Sequence, residues 1–157
     1  MSSLERKEMI LAASLSVAQA AARLGVAGWR IDELRRAGSL FGVWHAKQGT
    51  FVFPDFQFDQ RLDAETFREL LAIASRVGFD PAQSDRGGWG RAYWLYQPSE
   101  LLSRQARADY TDALTDPVRV AMRVRNLSAE ARTPVEALMD DPEGVLALAR
   151  QLWPQQA

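Results

Sequence analysis

Apolar residues recur at helical spacing from residue 16 onwards. Ser16 and Gln19 have the Ser-x-x-Gln spacing of a capping box, which satisfies free backbone N–H groups where a helix begins. Gly25 supplies the permissive backbone that a tight turn needs. The pattern therefore predicts a first helix from Ser16 to Leu24, with four residues on one apolar face: Val17, Ala20, Ala21 and Leu24.

A second helix is predicted from about Ala27 to Ala37, with Val26 as an apolar plug before it and Gly38 ending it. The chain then alternates aromatic and β-branched residues around a Lys47-Gln48-Gly49 turn, which is typical of a β-hairpin. Helix, tight turn, helix and hairpin within about 40 residues is the order of a winged helix-turn-helix.

The remaining chain predicts helices. Phe56 and Phe58 look like anchors in a short connection, and an amphipathic helix follows from Asp63 or Ala64 to about Val77, with Phe67, Leu70, Leu71 and Ala74 inward. Further helices are expected at Trp89 to Tyr96, Pro98 to Ala108, Pro117 to Arg125, Thr133 to Met139 and Pro142 to Trp153. The predicted fold is mainly α: a winged helix-turn-helix domain with a short β-hairpin wing over residues 1–58, and a helical partner-binding domain over residues 59–157.

Composition narrows the class of protein. With 157 residues, of which 47% are hydrophobic, the chain can bury a real core. It has no cysteine, and no apolar run approaches the roughly 18 residues that a membrane span requires. The charged start of the chain, including Glu5 and Lys7, makes a poor signal peptide, so we expect a cytoplasmic protein with no membrane partner.

Charge is unevenly distributed along the chain. Residues 16–53 carry five cations against two anions, a net charge of +3, whereas the whole chain is −1, which leaves −4 on the rest. A basic head on an acidic body suits double-stranded DNA as the partner of the head.

The second helix would lie in the major groove, with its N-terminal residues at base edges. Arg30 can donate two hydrogen bonds to a guanine, while Arg35, Arg36 and Lys47 can neutralise phosphates. The full set of predicted DNA-binding residues is Gly28, Trp29, Arg30, Arg35, Arg36, His45, Lys47 and Gln48. The alternative is a helical hairpin with ordinary surface charge. It is favoured by Ala27, which gives the helix no capping side chain, and by Asp32 and Glu33, which would lie near phosphates.

Nothing in the sequence predicts catalysis. His45 is the only histidine, and it lacks the further ligands of a metal site and the oriented partner of a triad. Gly87-Gly88-Trp89-Gly90 is not followed by the Lys-Ser or Lys-Thr of a phosphate-binding loop. We therefore predict a protein that is not an enzyme and has no cofactor or metal.

The N-terminal residues resemble a known family. Ser16 to Val26, together with Arg35-Arg36-Ala37-Gly38-Ser39-Leu40, is similar to the MerR-like or excisionase-like winged helix. Gly88-Trp89, Trp94-Leu95 and Pro98, followed by Arg132 to Leu138 and Asp141 to Val145, resemble the toxin-binding domain of Xre/MbcA/ParS antitoxins. Relative to that domain, this chain carries an inserted segment from Ser99 to Arg132.

The resemblance implies an antitoxin-like regulator that represses its own operon and binds a RES-type toxin through its C-terminal half. It places Arg132, Thr133 and Pro134 at the partner interface, and we expect Trp153 there too, because the last helix has more apolar surface than a core requires. A homodimer is expected, since repressors of this kind bind two half-sites. The alternative is an adaptor with a helix-turn-helix fold that does not bind DNA.

Overall fold

The computed structural model describes residues 2–75, 86–103 and 131–153. Over these residues the protein is mainly α, with a small antiparallel sheet. The helices are α1 (Ser3–Ala12), α2 (Val17–Leu24), α3 (Gly28–Arg36), α4 (Ala64–Ser75), α5 (Trp89–Leu95), α6 (Pro134–Leu138) and α7 (Pro142–Leu152). The strands are β1 (Ser14–Leu15), β2 (Val43–His45) and β3 (Thr50–Pro54), and 3-10 turns span Asp55–Phe58, Arg86–Gly88 and Glu100–Leu102.

The α2–α3 pair forms as its local sequence predicts. The Ser16 hydroxyl accepts from the Gln19 N–H, and the Gln19 side chain accepts from the Ser16 N–H, which completes the capping box. Gly25 ends α2 with a φ of 67°, in the left-handed region that favours glycine. Leu24 is exposed, contrary to expectation, because α2 ends there and the chain turns away.

The hairpin is also confirmed, and a third strand extends it. β2 pairs antiparallel with β3, and Gly49 adopts a φ of 63° in the turn between them. β1, which was not predicted, pairs with the other edge of β3, through Ser14 opposite Pro54 and Leu15 opposite Phe53. The strand order is therefore β1-β3-β2. A two-residue strand gives no alternating pattern of its own, so only its pairing reveals it.

β3 separates two hydrophobic clusters, because successive side chains of a strand point to opposite faces. Val52 is buried on one side in what we call the main cluster, and Phe53 is buried on the other in the head cluster. The head cluster contains Ala20, Ala21, Ile31, Leu40 and Phe53. The two predicted anchors divide likewise: Phe56 belongs to the main cluster and Phe58 packs against the head cluster.

The main cluster is built mostly from the later helices. The predicted inward residues of α4 (Phe67, Leu70, Leu71 and Ala74) are all buried, as are Val145, Leu146, Leu148 and Ala149 of α7. Residues before position 58, Ile10 and Phe41 among them, contribute to this cluster together with the residues of the later helices. The division into domains at residue 58 stays a prediction.

Gln57 connects the hairpin to the turn that follows it. Its Oε1 accepts from the backbone N–H of Phe41 at 2.9 Å, and its Nε2 donates to the backbone oxygens of Phe41 at 2.7 Å and Pro54 at 3.0 Å. The Gln57 side chain thus pairs with backbone groups before β2 and at the end of β3. Those groups would be costly to bury without a hydrogen-bond partner.

α1 was not predicted, although Ser2 and Glu5 form a capping box at its start. The Ser-x-x-Glu spacing could have revealed it, but the charged residues around it gave little apolar periodicity. Ile10 is completely buried in the main cluster, and the Ser14 hydroxyl donates to the Ile10 backbone oxygen at 2.7 Å. α1 therefore covers the core as well as leading into β1.

At Gly87 and Gly88 the backbone of the second half of the chain packs closely against β2. Both have positive φ, 75° and 87°, and a Cβ on Gly88 would lie 2.2 Å from the Gly42 backbone oxygen. The indole N–H of Trp89 donates to the Trp44 backbone oxygen at 2.9 Å. This glycine pair is thus explained by a close backbone approach.

Ser99 and Arg132, the two ends of the segment predicted to be an insertion, lie side by side. Ser99 and Arg132 form an isolated antiparallel bridge, with the Ser99 N–H donating to the Arg132 oxygen at 2.8 Å. The helix predicted from Pro98 is wrong for its described part, which forms only the 3-10 turn Glu100–Leu102. Residues 104–108, the predicted helix from Pro117 to Arg125 and the predicted end of α4 at Val77 lie outside the described residues. None of the described helices combines the length and apolar character that a bilayer crossing requires.

Candidate nucleic-acid interface

The N-terminal half of α3 faces solvent, as the DNA-binding prediction requires. Gly28, Trp29 and Arg30 are exposed, whereas Ile31 is completely buried in the head cluster. No side chain caps α3 at Ala27. The helix is therefore held by its inward face, and its first turn is open to a partner.

Every arginine of α3 is paired with an acid of the same helix. Arg30 contacts Glu33 at 2.7 Å, while Asp32 contacts Arg35 at 2.8 Å and Arg36 at 2.9 Å. From the sequence, Asp32 and Glu33 were expected only to repel phosphates. Their spacing of three or four residues from the arginines, which lets side chains meet on a helix, was the available signal for these pairs.

Arg35 differs from the other two in burial. Its side chain is only 13% exposed, and its guanidinium lies 3.8 Å from the centre of the Phe51 ring. It thus attaches the C-terminal end of α3 to β3. Arg36, with a side chain 74% exposed, is better placed to meet a phosphate.

The hairpin tip carries the other predicted contacts. Lys47 and Gln48 are exposed, and neither the ion pairs nor the cation–π contacts among the described residues involve Lys47. His45 is half-buried, and its Nδ1 accepts from the Gln48 N–H at 3.4 Å. The tip therefore presents one lysine, with His45 oriented by the turn itself.

The predicted partner-binding residues have structural contacts of their own. Thr133 caps α6 in a capping box with Glu136, and Pro134 is fully buried. Arg132 contacts Asp140 at 2.7 Å. Trp153 packs edge-on against Trp94, with ring centres 5.0 Å apart. These contacts position the end of the chain, and a role in partner binding stays a prediction.

A groove of about 710 Å³ lies between the Asp55–Phe58 turn and α6. Asp59 lines it and accepts from the Arg61 backbone and guanidinium at 2.9–3.2 Å. These hydrogen bonds to Arg61 lower the pKa of Asp59 to about 2. Glu136, on the opposite wall, is held by the α6 capping box. Asp59 thus remains charged at neutral pH, and both carboxylates are engaged with neighbours, which suits a polar wall better than proton transfer.

Within residues 2–75, 86–103 and 131–153, no three His, Asp or Glu side chains converge as they would around a metal ion. No protein-family model, curated protein or solved structure matches the chain.

Proposed function

We propose that the protein binds double-stranded DNA, with α3 in the major groove and the β2–β3 hairpin beside the phosphate backbone. The observation that carries this proposal is the exposed first turn of α3, on a helix whose C-terminal end stacks on β3 through Arg35 and Phe51. The hairpin that contains β3 presents Lys47 at its tip. A two-helix unit followed by a hairpin is the arrangement by which winged helix-turn-helix proteins place a helix in the groove.

The ion pairs within α3 are compatible with this role. Exposed pairs such as Arg30–Glu33 contribute only about 0.2–1 kcal/mol. Contacts to a duplex are stronger, because each neutralised phosphate releases condensed counterions. A phosphate can therefore compete for Arg36 without a large cost, whereas Arg35 keeps its position over Phe51.

Salt dependence tests the proposal directly. If Arg36 and Lys47 each neutralise one phosphate, log K falls against log salt with a slope of about −1.8, and affinity for a random 24-bp duplex falls about 12-fold between 50 and 200 mM salt. Lys47→Ala is expected to reduce the slope by about 0.9. Fluorescence anisotropy at several salt concentrations measures both.

Arg150→Ala provides the matched control. Arg150 is also an exposed arginine in an ion pair, with Glu69, but it lies on α7. Its removal is expected to leave the slope unchanged. An equal effect of both variants would indicate nonspecific charge attraction, and no binding at 50 mM salt would favour the adaptor that does not bind DNA.

For the C-terminal half we propose a protein partner, a RES-type toxin as the family resemblance implies, with repression of the chain's own operon as the biological role. Leu101 and Leu152 support this part, since they are 69% and 51% exposed on elements that contact each other. Removing residues 152–157 is expected to abolish association, with a second copy or with a co-expressed toxin, and to leave the head folded. Sedimentation and circular dichroism test this, and unfolding of the whole chain would contradict it.

A further inference from the structure

Trp29 is the most exposed of the five tryptophans. Its surface is 69% accessible, whereas Trp44 is 40% exposed and Trp89 is buried. None of the aromatic ring contacts among the described residues involves it. A large indole left in water costs free energy that burial against a partner would recover.

The position of Trp29 identifies the kind of partner. It is the second residue of α3, on the turn that would meet base edges. Arg30 follows it directly, and two further exposed cations, Arg36 at the other end of α3 and Lys47 on the hairpin tip, add positive charge that complements a polyanion. An apolar side chain in a major groove has one apolar feature to contact, the C5-methyl group of thymine.

We propose that Trp29 reads thymine methyl groups, which gives the protein a preference for A·T pairs opposite the start of α3. This inference rests on the proposed DNA binding and names the base feature that the site recognises. Arg30 is less suited to be the main base-reading residue, because Glu33 already holds its guanidinium at 2.7 Å and the pair must break before guanine can be contacted. The Trp29 ring has no such competitor among the described contacts.

The test compares two 24-bp duplexes that differ only in the methyl group: alternating A·T, and the same sequence with uracil for thymine. Every register of the alternating duplex presents thymine methyls in the major groove. The wild type is expected to bind the thymine duplex about fourfold more tightly per contacted thymine, the ratio given by ~0.8 kcal/mol for one buried methyl-sized group.

Trp29→Ala is expected to bind the two duplexes equally, and Trp29→Phe to keep part of the preference. Lys47→Ala is the control, and it is expected to weaken binding to the two duplexes to the same extent. Since Trp29 is exposed, circular dichroism should show each variant folded.

Each outcome separates the inference from the proposal on which it rests. A wild type that binds both duplexes equally, or a Trp29→Ala variant that keeps the preference, overturns the thymine contact while DNA binding stands. Binding to neither duplex overturns the proposed function. If Trp29→Ala leaves DNA binding intact but dissociates a dimer in sedimentation, Trp29 belongs to a contact between copies of the chain and the inference fails.

Discussion

Replacement of Gly88 by alanine tests how the two halves of the protein are joined. Gly88 has a φ of 87°, and a Cβ there would lie 2.2 Å from the backbone oxygen of Gly42, directly before β2. The obstacle is backbone, which cannot rotate away as the end of a flexible side chain can. The variant must therefore separate the Gly88–Trp89 segment from β2 or distort the strand.

The expected loss of stability has three parts. A left-handed backbone costs a non-glycine residue about 1–2 kcal/mol, and overpacking of a tight contact typically costs a further 1–3 kcal/mol. Movement of this segment also threatens the hydrogen bond from Trp89 to the Trp44 oxygen, which contributes about 1 kcal/mol. We expect Gly88→Ala to lower the free energy of unfolding by about 3–6 kcal/mol.

Gly49→Ala isolates the conformational part of this effect. Gly49 also has a positive φ, 63°, but nothing lies within 4 Å of a Cβ placed there. It should lose only about 1–2 kcal/mol. Urea unfolding followed by tryptophan fluorescence measures both variants. Equal losses would refute the close approach of Gly88 to β2.

Three further predictions concern single residues. Ser16→Ala removes the capping hydroxyl of α2 and should cost about 1 kcal/mol in urea unfolding, with no loss if the cap contributes nothing. Burial, and then the charge of Asp55, raise the pKa of Tyr96, so stability should be complete below the ordinary tyrosine value near pH 10 and fall as pH rises above it. Tyr96→Phe should flatten that alkaline loss, and an unchanged profile would contradict the cause. Arg30→Ala should cost about 1–3 kcal/mol on a selected duplex if Arg30 contacts a guanine, and equal losses on selected and random duplexes would exclude base recognition by this residue.

The elements that the sequence predicted correctly are those fixed by near neighbours. The capping box at Ser16 joins residues three apart, and Gly25 and Gly49 set the backbone of their own turns. The inward face of α4 follows from helical spacing alone. Such features need no knowledge of distant contacts, so local pattern is sufficient for them.

The exposure of Trp29 and Arg30 on α3 could also be predicted from the sequence, because a helix that buries Ile31 directs these two side chains outward. The ion pairs of the α3 arginines could be predicted only in part. Helical spacing brings Asp32 to Arg35 and Arg36, but stacking of Arg35 on Phe51 requires β3 to return beside the helix. That contact decides which cations remain available at the candidate interface.

The tertiary structure alone decided how the hairpin is held. β1 exists because Ser14 and Leu15 meet β3 nearly 40 residues later in the chain, and Gly88 matters because its backbone reaches Gly42. A two-residue strand carries no period, and a glycine pair is equally typical of a flexible loop. The sequence by itself determined the local elements and the outward face of α3. The pairing of distant segments determined the sheet, the two hydrophobic clusters and the packing of the second half of the chain against β2. Those contacts join residues that are far apart in the sequence, and no local pattern of residues predicts them.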